Sequence, residues 1–437
     1  MNPNAKFGKS SKRESKLNAI KDYIYNNKIL KETFWAFFSK GMSFILIYAL
    51  QLYMIRVMSV EHWGLWSGFY SLLHILFMLS FFGLNRASST YIAKYNKTSH
   101  LRAVIRNSFQ LRVIFNTIYI GVIAAIGWLV MDLLDKDHYT KNFYMSLPLI
   151  FMFAFQENII AMFIGLHRNR FQVNMKLTEH ISKLIFVVGL FAISINIEYI
   201  IIAYTVSAVI TTASGIWLLY SKFYKELEDD RSKSFYKDMT KLALTLVLIT
   251  LGQSIIVDMD TLMMWKLMGE YETGQYSTAK QTLRYLPQIT FAMAMGIMPI
   301  FAKLTEENKE ELRRKFYLVF RINLLIFSVL VVMIVLLSPY FVPIVFGEEY
   351  EPAVIVFQVM APYLLFQTSA LYCGVALDYM GRAKQRVYVV MLAMIINLVL
   401  NLLLIPEYSG IGAAIATICA YIPYALLNYL EVRKALH

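Results

Sequence analysis

Long apolar runs alternate along this chain with short polar segments rich in Lys and Arg. About 20 apolar residues at about 1.5 Å each cross a hydrocarbon core of about 30 Å. On that measure the pattern predicts about 12 helical spans, at 33–57, 63–93, 103–131, 143–166, 173–195, 198–221, 241–265, 273–302, 313–338, 352–377, 385–405 and 410–431. The expectation is an all-α polytopic membrane protein. Residues before Trp35 are polar and basic, so no cleavable signal peptide is expected ahead of the first span.

A stretch near the start of the second span recurs. VMSVEHWGLWS (57–67) aligns with LMGEYETGQYS (267–277) at an offset of 210, matching Met58 to Met268, Gly64 to Gly274 and Ser67 to Ser277. Gly83 with Ile92-Ala93-Lys94 is echoed by Gly296 with Phe301-Ala302-Lys303, and LHRNR (166–170) by MGRAK (380–384). Weak echoes in one order at nearly constant offset imply two homologous halves. Six spans in each would return the chain to its starting side, giving a parallel repeat about an axis along the membrane normal. The expected organisation is a basic tail (1–32), a first lobe (33–221), a linker (222–240), a second lobe (241–432) and a short C-terminus (433–437), with a cleft between the lobes.

Composition sharpens this. The chain of 437 residues is 58% hydrophobic and 16% charged, with a formal charge of +13. Of the 42 Lys and Arg, 32 fall in the tail, the alternate loops and the C-terminus, against four (Arg56, Lys136, Lys141, Lys266) on the opposite side. That asymmetry puts both termini in the cytoplasm. It reads the basic charge as topology and headgroup attraction rather than nucleic-acid binding. Cys373 and Cys419 fall in apolar helices and make no disulfide scaffold or metal site. No nucleotide-phosphate loop or nucleophile set is seen. The longest expected outer loop, MDLLDKDHYTK (131–141), is too short for a catalytic domain. His74 reads as a lone packed histidine.

Charges inside spans carry the candidate chemistry, because an ionised group facing lipid costs at least about 2.5–3.5 kcal/mol. Lys280 and Arg284, four apart on one face of the eighth span, read as cleft-lining cations for an anionic ligand. The alternative is pairing with Glu157 or Asp258 to fasten helices. Lys40, Arg86, Arg112 and Arg321 are further cleft candidates, with snorkelling to the inner interface as the other reading for the first three. Asp260 or Asp258 with Asn397, Asn401 and Thr417 could offer a carboxylate and neutral oxygens to a small hard cation, or make ordinary interhelical hydrogen bonds. Eight of the ten prolines lie at or after Pro287, and Pro287, Pro299, Pro362 and Pro423 predict bent helices in the second lobe.

VDMDTLMMWKLMGEYETGQYSTAKQTLRYLP (257–287), RVMSVEHWGLWS (56–67), FVPIVFGEEYEPA (341–353) and LIPEYSGIGAAIAT (404–417) together resemble the signatures of Wzx-type lipid-linked oligosaccharide flippases. These belong to the MOP exporter superfamily with the lipid II flippase and MATE exporters. The resemblance implies two V-packed lobes with alternating access. It implies transfer of a polyprenyl-pyrophosphate-linked glycan between leaflets of the cytoplasmic membrane, by a monomer that is not an enzyme. Glycan polymerases or glycosyltransferases would be partners. In the lipid II flippase a span-eight arginine follows a span-seven cation-site position by twenty residues; Asp260 and Lys280 hold that spacing, and Asn401 and Thr417 fit its remaining positions, with Asn397 one turn earlier. Na⁺ or H⁺ is then the implied coupling ion, with no other cofactor. Lys40 and Arg86 do not match that relative's first-lobe arginines. A MATE-type multidrug exporter is the alternative, and should have a net acidic cleft.

Overall fold

The computed structural model describes residues 28–227, 234–297 and 309–436, without the side chains of 28–40, 245–256, 295–297 and 383–385. The Phe301-Ala302-Lys303 echo, Pro299 and the Lys40 side chain therefore lie outside the described residues. Within them the chain forms α1 (Lys28–Val57), α2 (Val60–Ser80), α3 (Leu84–Tyr95), α4 (Leu101–Leu133), α5 (Thr140–Gly165), α6 (Asn169–Phe191), α7 (Ile197–Lys222), α8 (Tyr236–Leu283), α9 (Gln288–Ile297), α10 (Lys309–Val345), α11 (Ala353–Met360), α12 (Tyr363–Tyr379) and α13 (Ala383–Leu436).

Two of these helices are hairpins. α8 breaks at Gly269, where φ is +83° and ψ −170°, a conformation reserved to glycine. A straight helix would hold residues 260 and 280 about 30 Å apart, yet Lys280 Nζ donates to Thr261 Oγ1 at 2.8 Å. α13 breaks at Ser409 (φ +49°), and a Cβ on Gly412 would lie 2.2 Å from the Leu404 carbonyl oxygen. Each hairpin supplies two expected spans.

Two other expected spans are bent. α2 and α3 meet at 41° across Phe82 and Gly83, both left-handed, and α11 and α12 at 43° across Ala361-Pro362. The bend in the first half has no proline; α8 and α9 are separated just before Pro287, whereas Pro423 sits in unbroken helix. A broken span frees backbone carbonyls that lipid cannot satisfy. Arg112 of α4 answers this at the α2–α3 bend: fully buried, it donates to the Ser80 carbonyl at 2.9 Å and to Asn85.

The echoes seen in the sequence are built as equal structures. Leu166-His167-Arg168 closes α5 with bonds to the carbonyls of 162, 164 and 163, and Met380-Gly381-Arg382 closes α12 with bonds to those of 376, 378 and 377. His167 (φ +54°) and Gly381 (φ +73°) hold the same left-handed position. These are one C-terminal cap made twice. At the other end of the molecule the doubled stretch meets itself. A Cβ on Gly64 would lie 1.7 Å from the Glu270 carbonyl oxygen, and one on Gly274 would lie 2.2 Å from that of Val60. Each glycine touches the residue four before the other, so the contact is related to itself by a two-fold operation.

The core reports how the halves join. One continuous cluster contains Met54, Trp63, Phe69 and Leu73 of the first half with Trp265, Tyr276, Tyr350 and Phe357 of the second. At the opposite end the apolar residues split into two clusters, one around Leu84, Ile105 and Phe163, the other around Phe316, Tyr372 and Leu436. The halves are thus packed together at the Gly64–Gly274 end, whereas at the other only the start of α8 (Met239, Ala243) joins the first-half cluster. Among the described residues, five helices are each long and apolar enough to cross a membrane, or up to seven when each bent pair is one span. The exposed apolar faces of α4 (Ile114, Ile118, Trp128) and α10 (Leu325, Val332, Leu336) are surfaces that suit lipid.

Candidate functional site

The α8 hairpin brings Asp258 and Asp260 of its first arm against Lys280 of its second and Arg284 at its C-terminal cap. Lys280 is bonded to Asp260 and to Thr261 Oγ1. The other Asp260 oxygen accepts from Tyr276 OH at 2.6 Å and from Thr417 Oγ1 of α13 at 3.3 Å. Lys280 therefore pairs with an acid of its own hairpin rather than with Glu157 or Asp258. Asn401 Nδ2 donates to Asn397 Oδ1 at 3.0 Å, leaving Asn397 Nδ2 and Asn401 Oδ1 buried without a partner.

Arg284 is held far more loosely. Among the described residues its one ion pair is to Asp258 at 3.5 Å, and 34% of its side chain remains exposed. It lines, with Lys280, Asp260, Gln288, Tyr363 and Thr417, a cavity of about 250 Å³. Asp258 is also held from the other half: His74 Nδ1 of α2 lies 2.6 Å from its Oδ2. The histidine that read as lone has its partner 184 residues away.

Other candidates lie elsewhere. Arg112 serves the α2–α3 bend and does not line this cavity. Arg86 and Arg321 are exposed. Glu157 meets Lys176 of α6 at 2.5 Å, within a buried set in which Lys176 and Lys183 also bind Glu179, at 3.1 and 2.6 Å, and Gln156 donates to Glu179. Lys176 and Lys183, counted from the sequence among the 32 basic residues as part of the inner loop 168–183, instead sit inside helix α6. Their spacing with Glu179, at three and four residues, was the available signal.

At the packed end, three of the four sparse basic residues stitch the halves together. Arg56 Nη2 donates to the Ile344 carbonyl at 2.6 Å, Lys136 Nζ to Glu270 at 2.8 Å, and Lys266 to the Leu133 carbonyl beside Asp135. Tyr350 OH adds a bond to the Ile55 carbonyl at 3.3 Å. Burial pushes the Glu270 carboxyl up, but the Lys136 hydrogen bond and charge outweigh it and hold the group below its ordinary value. A depressed carboxyl stabilises the fold above its unfolded value, and that contribution is lost as pH falls through the folded one. Glu270→Gln is therefore expected to lessen the drop in thermal unfolding midpoint between neutral and acid pH; an undiminished drop would remove Glu270 from the acid response.

Bent spans, pseudo-two-fold halves and a charged cavity beside their junction define an all-helical membrane transporter with the MATE-like fold. An inward-facing multidrug resistance MATE family transporter of the MOP superfamily superposes with a TM-score of 0.73 at 14% identity, covering 89% of this chain and 94% of that one. A MOP superfamily transporter from Pyrococcus furiosus, described by a binding pocket of reversed polarity that suggests a different function, superposes at 0.64 and 15% identity, covering 94% of this chain and 96% of that one. The polysaccharide biosynthesis protein family model matches residues 29–305, and the chain belongs to that family; the MatE model matches 243–403. An uncharacterized membrane protein of Methanocaldococcus jannaschii is 22% identical, over 96% of this chain and 99% of its own length. The capsular polysaccharide biosynthesis protein CapF of Staphylococcus aureus is 24% identical over 60% of this chain and 66% of its own. The family comprises transporters, not enzymes.

Proposed function

We propose that this transporter is a flippase that moves a polyprenyl-pyrophosphate-linked oligosaccharide from the cytoplasmic to the outer leaflet for surface polysaccharide assembly. The observation that carries this reading is Arg284: a cation beside a cavity, tied by a single long contact and free to turn onto an anionic headgroup. A pyrophosphate cannot enter hydrocarbon unaided, and a guanidinium matches its oxygens in bidentate geometry. Twelve spans in two lobes of six, residues 33–221 and 241–432, with both termini cytoplasmic, complete the proposal. The Gly64–Gly274 end then faces outside, so this conformation opens inward, as the split core clusters support. Glycan polymerases or glycosyltransferases would hand over or receive the substrate, and the transporter would act as a monomer.

Asp260, Asn401 and Thr417 are oxygen donors of the type a hard cation takes, but the Lys280 ammonium already occupies Asp260. A Na⁺ ion does not fit there until Lys280 moves away, so no transport step is assigned to it.

Arg284→Ala is expected to reduce surface glycan export at least about tenfold, the loss of one charge-assisted contact of about 1.5–3 kcal/mol, with normal membrane insertion. The measurement is export in a cell whose glycan requires this transporter. Undiminished export would refute the role, and drug resistance lost in place of glycan export would favour a MATE-type exporter.

A further inference from the structure

We infer that His74 is a positioning residue for the headgroup: by holding Asp258 from the first half, it leaves Arg284 of the second free to move onto the anion. This rests on the reading of Arg284 given above. The repeat points to the pair. At the offset of 210 that matches Gly64 to Gly274, His74 falls on Arg284 and Tyr70 on Lys280. His74 and Arg284 each stand ten residues, about 15 Å, along their helices from the glycine at which the halves cross. The structure brings both to the two oxygens of one carboxylate. His74 Nδ1 donates to Asp258 Oδ2 at 2.6 Å, and Arg284 Nη1 lies 3.5 Å from Oδ1. Asp258 is thus shared by mates of the internal two-fold.

The mates are unequal. Arg284 lines the cavity and His74 does not, and the short contact belongs to the histidine. A buried carboxylate stripped of its partner is strongly destabilising. Were Arg284 the sole partner of Asp258, that cost would keep the guanidinium in place. The imidazole N–H removes it, because Asp258 retains a charge-assisted hydrogen bond when Arg284 turns away. Lys280, one turn earlier, cannot substitute, since it is bound to Asp260 and Thr261. The imidazole is itself kept in position by aromatic packing: the Tyr70 ring lies 6.2 Å from it, and Tyr204 of α7 lies 5.9 Å from Tyr70. What this role asks of His74 is a fixed N–H donor; no step needs the ring to change charge.

The test uses the full-length protein in detergent and isothermal titration calorimetry with farnesyl diphosphate, at one fixed pH. His74→Phe, which keeps a ring beside Tyr70 but offers no N–H, should weaken binding about tenfold, the scale of one hydrogen bond to a charged group. His74→Leu serves if His74→Phe does not fold. Adding Asp258→Asn to either should restore the affinity, because the carboxylate that would retain Arg284 is gone; a role in packing alone would not be rescued this way. His74→Asn, whose Nδ2 can stand where the imidazole Nδ1 stands, should bind as the parent does. Parent affinity in His74→Phe and His74→Leu, or a loss that Asp258→Asn leaves in place, would overturn the positioning role even with binding abolished in Arg284→Ala. No binding by the parent, or none lost in Arg284→Ala, would overturn the headgroup reading together with it.

Discussion

Gly64→Ala is expected to destabilise the protein by about 3 kcal/mol, the upper range for forcing extra volume into a packed interior. The added methyl would stand 1.7 Å from the Glu270 carbonyl oxygen and 2.6 Å from the Gly274 nitrogen. Both obstacles are backbone, so no side chain can rotate aside, and α2 must move bodily off α8. Trp63, Trp66 and Phe69 would lose packing against Trp265 and Tyr276 in the shared core, and the Lys136–Glu270 and Arg56–Ile344 bonds would lengthen. Thermal unfolding in detergent checks the cost. Gly189→Ala, where nothing lies within 4 Å, is the control and should be neutral or stabilising by up to about 1 kcal/mol on helix propensity. Equal effects at the two glycines would show that the close approach across the halves carries no special weight. Gly274→Ala should behave as Gly64→Ala does, because the two contacts are symmetry mates.

Much of this was legible because the signals were local. The turns at Leu166-His167-Arg168 and Met380-Gly381-Arg382 carry their own caps in five residues, so the echo of LHRNR by MGRAK exposed the repeat directly. The match of Gly64 to Gly274 marked a stretch used twice, although that the two copies touch each other is a fact of tertiary packing. The bend at Phe82-Gly83 was missed because one apolar run continues through it. Arg112 was placed in the cleft because sequence shows a buried charge but not the free Ser80 carbonyl that calls for it. The pairing of Lys280 with Asp260 depends on the register of the α8 hairpin, and the polar break between the spans 241–265 and 273–302 announced the turn without fixing which residues face each other across it. His74 looked solitary for the simplest reason: its acid lies in the other half of the chain.

Lys280→Met is the second large effect, and it separates structure from transport. Asp260 is 1% exposed, and removing the cation leaves a buried carboxylate with only hydroxyl partners and the Thr261 amide. Breaking such a pair costs about 3–5 kcal/mol, so the single variant is expected to be poorly folded, and its loss of export would say nothing of substrate contact. Adding Asp260→Asn removes the stranded charge. Its amide can still accept from Tyr276 and Thr417, and the double variant should recover most of the loss in unfolding midpoint. Arg284→Ala has no such liability, since Asp258 keeps His74 and the arginine is one-third exposed; its stability change should be small. A double variant no more stable than Lys280→Met alone would refute the pairing. If the double variant is both stable and active in export, Lys280 and Asp260 fasten the hairpin and Arg284 alone meets the anion. If it is stable and inactive, the ammonium must leave Asp260 during transport, and the buried pair is one of two alternative resting places for a cation that the headgroup also claims.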